Sequence, residues 1–231
     1  MCKTFCNFAF VTMLITHMAN HPLWSDDYWL LLMQLYQKKP AGVKSEYSHA
    51  VVELGIELHI APKTLKEQMR VLERHATPSL QRIWDTYADN PRRLQRDVKR
   101  LRQMAGFGDP GLFYEGVESA LPFERDYRPV DKSTSITPVM LTVILSLYFE
   151  LTPNTMVSET PEVLDMARLL GLKPENIVDV LDIYQTFDPI LKRKPLPQSP
   201  LGDEARRIWQ KYYNEPEQLE TAVERLKEYF G

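Results

Sequence analysis

Residues able to do chemistry are thinly spread along this chain. Near the N-terminus, Cys2, Cys6, His17 and His21 follow the order of a Cys2His2 zinc finger, whose two thiolates and two imidazoles complete a tetrahedral zinc shell. The gap between Cys6 and His17 is too short for that motif, and Leu14 follows Phe10 too soon for its small core, so no zinc site is expected. The other histidines, His49, His59 and His75, lack HExxH spacing, a cysteine partner or an acidic cluster, and are expected as surface or packing residues. No GxxxxGKS/T, GxGxxG or GxSxG pattern occurs, so neither a phosphate cradle nor a nucleophile elbow is signalled. The expectation is a protein with no catalytic residue, no metal and no cofactor. An enzyme whose carboxylates converge only on folding ranks third among the alternatives.

What the chain does offer is charge at helical spacing. Arg92, Arg93, Arg96, Lys99, Arg100 and Arg102 crowd one segment, and the matching segment late in the chain carries Glu217, Glu220, Glu224 and Glu228 instead. On a helical wheel Arg92, Arg96, Lys99 and Arg100 lie opposite the apolar stripe Leu94, Val98 and Leu101, forming a solvent-facing basic ridge. A second, milder group is Lys63, Lys66 and Arg70, with Arg74, set against Glu67 and Glu73. The candidate contact residues are therefore Lys63, Lys66, Arg70, Arg92, Arg96, Lys99 and Arg100. They would meet either nucleic-acid phosphate or an acidic protein, the acidic helix of another copy of this chain included. A solvated helix face with no partner is the plainer reading of the same pattern.

These charges sit on elements that repeat. "LMQLY" at Leu32 to Tyr36 returns as "ILSLY" at Ile144 to Tyr148, and the same offset aligns Val51 with Val163, Leu54 with Met166, Leu58 with Leu170, Pro62 with Pro174, Leu65 with Ile177 and Met69 with Leu181. After an insertion around "LKRKPLPQSPLG", a second offset lays "IWDTY" at Ile83 to Tyr87 on "IWQKY" at Ile208 to Tyr212, then Pro91, Leu94, Val98, Leu101 and Gly106 on Pro216, Leu219, Val223, Leu226 and Gly231. Such self-similarity implies internal duplication. Trp84 and Trp209, matched in the two copies, read as core anchors more readily than as ligand-stacking residues.

Each copy reads as four helices: a buried first one, a helix-turn-helix-like pair, and a last one from Pro91 or Pro216. No sustained period-two pattern is present, so the fold class is all-α, two tandem copies of a four-helix, helix-turn-helix-like bundle. Such a motif reads DNA through its second helix. Glu175, Asp179 and Asp182 make that helix acidic in the second copy, leaving only the first copy fit for phosphate. The expected organisation is an extension at 1–17 with Met18 as the better start, copy 1 at 18–106, an ordered connecting strap at 107–137 that carries Phe113, Tyr114, Phe123 and Tyr127, and copy 2 at 138–231.

Apolar residues at 44% and charged residues at 26% are the balance of a folded, soluble protein. The net charge of -3 draws no nucleic acid globally, so such a partner needs a local patch. Phe8 to Ala19 is too short to span a bilayer, and with one Lys3 ahead of it and no small residues at a cleavage site it makes a poor signal peptide. Two cysteines, both near the N-terminus, suggest no disulfide framework, and a cytoplasmic setting fits.

The second copy also resembles the helical region placed ahead of the nuclease domain in some HNH-type restriction endonucleases. Leu147, Tyr148, Pro161, Glu162, Leu170, Gly171, Pro174, Asp188, Pro189 and Trp209 carry that resemblance, which is fainter in the first copy. It implies a helical accessory or recognition module, and the HNH residues themselves are absent. The functional expectation is a non-catalytic regulatory or adaptor protein, nucleic-acid-associated through copy 1. A protein scaffold or self-associating module, such as a homodimer, is the alternative, and no membrane contact is foreseen.

Overall fold

Proline punctuates this fold. In the computed structural model, which describes residues 23–108, 122–194 and 196–231, nine of the eleven α-helices begin at a proline. Proline suits the first helical position because its φ is already helical and its missing N–H would have no partner there. Among the described residues there is no strand, and the protein is all-α. No described helix is long and apolar enough to cross a membrane.

The described residues fall into two compact units, divided at Leu121 and Pro122. The first holds α1 (Tyr28–Gln37), α2 (His49–Leu58), α3 (Pro62–Glu73), α4 (Pro78–Tyr87) and α5 (Pro91–Arg102). Its core gathers Leu31, Leu32, Met33, Leu58, Leu65, Met69, Leu72, Leu94 and Val98. The second holds α6 (Pro122–Tyr127), α7 (Pro138–Glu150), a 3-10 turn (Pro153–Thr155), α8 (Pro161–Leu170), α9 (Pro174–Gln185), α10 (Pro200–Tyr212) and α11 (Pro216–Phe230). Here α7 is the axle. It is apolar all round, with Val139, Leu141, Val143, Ile144, Leu145, Leu147 and Tyr148 buried, as a helix surrounded by others must be. It packs on each of the other five α-helices of its unit.

Four helices per copy was one too few. The segments ending in "IWDTY" and "IWQKY" are helices themselves, α4 and α10. Thr77 and Ser199 cap them, each side-chain oxygen accepting a backbone N–H three residues on, from Leu80 at 3.3 Å and Gly202 at 3.1 Å. The described part of the expected strap, from Pro122 onward, belongs to the second unit, where α6 packs on α7.

Helix order and pairing correspond between the units. The packed pairs α1–α3, α1–α4, α1–α5, α2–α3 and α4–α5 have counterparts in α7–α9, α7–α10, α7–α11, α8–α9 and α10–α11. α2 and α8 each have 10 residues and α3 and α9 each have 12. Tyr36 meets Trp84 edge-on at 5.3 Å, as Tyr148 meets Trp209 at 5.5 Å.

The turn between the paired helices shows one difference. The residue after α8 is Gly171 at φ 64°, whereas after α2 it is His59 at φ 53°. Glycine adopts this left-handed backbone without the steric cost other residues meet. Nothing lies within 4 Å of a Cβ built on Gly171, so Gly171→Ala tests the backbone alone. It is expected to cost about 1 kcal/mol and lower the melting temperature by roughly 4–8 °C. Calorimetry checks this, and an unchanged melting temperature would refute it.

Candidate interaction surface

Burial of one stripe of α5 sets the direction of its charges. Leu94, Val98 and Leu101 are buried in the first unit's core, so Arg92, Arg96, Lys99 and Arg100, on the opposite side, are all exposed. Lys99, Arg100 and Arg102 fall in the last turn, where cations favour the negative end of the helix dipole.

Sequence reasoning missed the anion inside this cationic set. Asp97 lies 3.7 Å from Arg93 Nε, 3.4 Å from Arg96 Nε and 4.0 Å from Arg100 Nη1. The Tyr87 hydroxyl donates to it at 3.1 Å. Burial alone would raise the Asp97 carboxyl, but hydrogen bonds from Tyr87 and Arg96 and the charges of Arg96 and Arg93 hold it below its ordinary value. One carboxylate thus serves three guanidinium groups. Its spacing of three and four residues from Arg100 and Arg93 was the available signal. Arg102 is committed elsewhere, forking onto Glu57 of α2 at 2.6 and 2.8 Å. Arg92 and Lys99 have no ion pair among the described residues.

The milder group is less coherent. Lys63 and Arg70 are exposed on α3, but Lys66 pairs with Glu46 at 3.5 Å. α3 reaches the core through α1 and α2, and α5 through α1 and α4, so the predicted residues lie on two helices and only the α5 set forms a continuous ridge. In the second unit, Glu175, Asp179 and Asp182 are exposed on α9, so the helix equivalent to α3 presents acid.

Comparison with known proteins returns no matching family model, no matching curated protein and no matching solved structure. The resemblance to the helical region of HNH-type endonucleases therefore rests on the residues alone.

The insertion in the second copy encloses a feature that no motif announced. A cavity of about 570 Å³ lies between the end of α9 and the start of α10, walled by Ile183, Phe187, Leu196 and Pro197. Its ionisable lining residues are Asp203 and Arg206, the latter with its guanidinium carbon 4.8 Å above the Phe187 ring. No group of three or more His, Cys, Asp or Glu able to hold a metal exists among the described residues. The Cys2, Cys6, His17 and His21 set lies outside them, as do residues 1–17.

Proposed function

We propose that this protein is a non-catalytic helical adaptor, built by duplication of one helical module, whose first unit grips an anionic macromolecular surface through α5. The duplication is supported by the matched helix order and the repeated Tyr–Trp contacts. The contact is supported chiefly by one observation: four exposed cations at 92, 96, 99 and 100 run along the side of α5 opposite its buried stripe, with a single carboxylate among them. Eight residues of helix span about 12 Å, enough for several phosphates or carboxylates in a row. Arginine forks match either oxyanion.

Titration of a labelled DNA duplex and of poly-glutamate tests the reading. If the four ridge cations each displace a phosphate counterion, duplex affinity falls about a hundredfold between roughly 50 and 200 mM salt. Arg92→Glu with Lys99→Glu is expected to weaken binding alike on every duplex sequence and to lower the salt slope by about two. Binding of neither polyanion, or unaltered binding by the double variant, would reject it.

A further inference from the structure

The anionic surface that α5 grips can be named more closely, on the reading just given. The two units carry opposite charge. Residues 23–108 hold 14 Lys and Arg against 10 Asp and Glu, whereas residues 122–231 hold 13 against 18. A chain charged in this way attracts other copies of itself end to side, because the field of one unit complements that of the other.

The inversion is concentrated on equivalent helices. In α11, Leu219 and Val223 are buried where α5 buries Leu94 and Val98. Glu217, Glu220, Glu224 and Glu228 are all exposed, on the side away from that stripe. No ion pair engages these four glutamates among the described residues. In the register that aligns Pro91 with Pro216, Arg92 corresponds to Glu217 and Lys99 to Glu224. Those are the two ridge cations of α5 that have no ion pair. Both pairs are separated by seven residues, about 10.5 Å along a helix, so one ridge laid on the other matches both charges at once.

We propose that α5 of one copy docks on α11 of a second copy, Arg92 and Lys99 meeting Glu217 and Glu224. The two surfaces differ, so the contact is heterologous and leaves an unused ridge of each sign on the pair. Association then continues to a ring or a filament and does not stop at a two-fold dimer. Exposed ion pairs are individually weak, so the contact is reversible and sensitive to salt.

Sedimentation velocity of the full chain over a concentration series, at about 20 mM and about 500 mM salt, tests this. The expected result is species larger than monomer at low salt that dissociate at high salt. Arg92→Glu/Lys99→Glu and Glu217→Lys/Glu224→Lys each weaken association about tenfold or more. Mixing the two variants, or combining all four changes in one chain, restores it, because each repulsive ridge then meets its opposite. A monomer at every concentration in low salt overturns the proposal, and so does a mixture that fails to recover. If the chain stays monomeric while Arg92→Glu/Lys99→Glu still weakens duplex binding, self-docking is wrong and the polyanion reading stands. Loss of both leaves neither.

Discussion

Trp209→Ala is expected to destabilise the second unit by roughly 4 kcal/mol, the range in which a buried indole is replaced by a cavity. The side chain is 6% exposed and lies among four aromatic rings. Tyr213 stacks on it at 4.8 Å, Phe149 at 5.7 Å and Tyr184 at 6.1 Å, while Tyr148 meets it edge-on at 5.5 Å. These rings come from α7, α9 and the end of α10, so alanine removes the common neighbour of three elements. Tyr184 is fully buried, with its hydroxyl donating to the Leu141 carbonyl at 2.9 Å, and cannot move in to fill the space without losing that bond. Trp84, the counterpart in the first unit, gives the contrast. It is only half-buried, touches Tyr36 and His75, and donates its indole N–H to the Leu72 carbonyl at 2.8 Å. Trp84→Ala is expected to cost about 2–3 kcal/mol, less apolar contact but one carbonyl left without its donor. Urea titrations of both variants followed by circular dichroism measure the difference, and a loss below about 1 kcal/mol for Trp209→Ala would contradict the packing argument.

Why one tryptophan is buried and its twin is not marks the limit of what spacing can tell. The offset that pairs Ile83 with Ile208 and Trp84 with Trp209 was legible, as was the direction of the basic ridge, because both follow from helix periodicity and a local apolar stripe. The start of α10 was legible in principle from Ser199 and Pro200, a cap and a first-turn proline, yet a five-residue match gave too little periodicity to separate that helix from a loop. Asp97 could have been found by its spacing from Arg93 and Arg100. Glu57 and Glu46 could not, because their pairing with Arg102 and Lys66 joins residues 45 and 20 apart in sequence. The cavity beside Phe187 depends on the course of an inserted loop, which leaves a length in the sequence and no shape. Glu204 is the clearest case. "GDEARRIWQ" reads as a solvated first turn, and what buries Glu204 is α6, brought from the segment that the sequence presents as a connector.

That burial makes Glu204 the second residue on which the fold depends. Its side chain is 6% exposed and is held by Arg125 of α6 at 2.8 Å and by Arg207 of its own helix, Nε at 2.8 Å. Burial would push the carboxyl up, but the hydrogen bond and charge of Arg207 and the charge of Arg125 outweigh it and hold Glu204 below its ordinary value of 4.5. A carboxylate depressed in the folded state contributes stability that is present above its unfolded pKa and is lost as pH falls through the folded one. With Arg125→Ala and Arg207→Ala combined, burial remains and both cations are gone. The buried charge then has no partner, and the expected cost near pH 7 is about 3 kcal/mol, at the low end for a broken buried pair because both arginines are themselves at least half exposed. The folded-state pKa of Glu204 rises above 4.5 in that variant, so its contribution is restored as pH falls and lost as pH rises. Asp126, raised chiefly by burial and lowered by Arg207, moves the same way when Arg207 is removed. Acidification from about pH 7 to about pH 5 should therefore leave the parent protein's Glu204 contribution intact while the double variant recovers part of its loss. Glu204→Gln in the variant background removes the ionisable group and should flatten the Glu204 part of that response. Carboxyl-carbon NMR of Glu204 reads the two titrations directly. Parallel pH profiles for the two proteins would mean that water reaches this carboxylate and that α6 is not what keeps it dry.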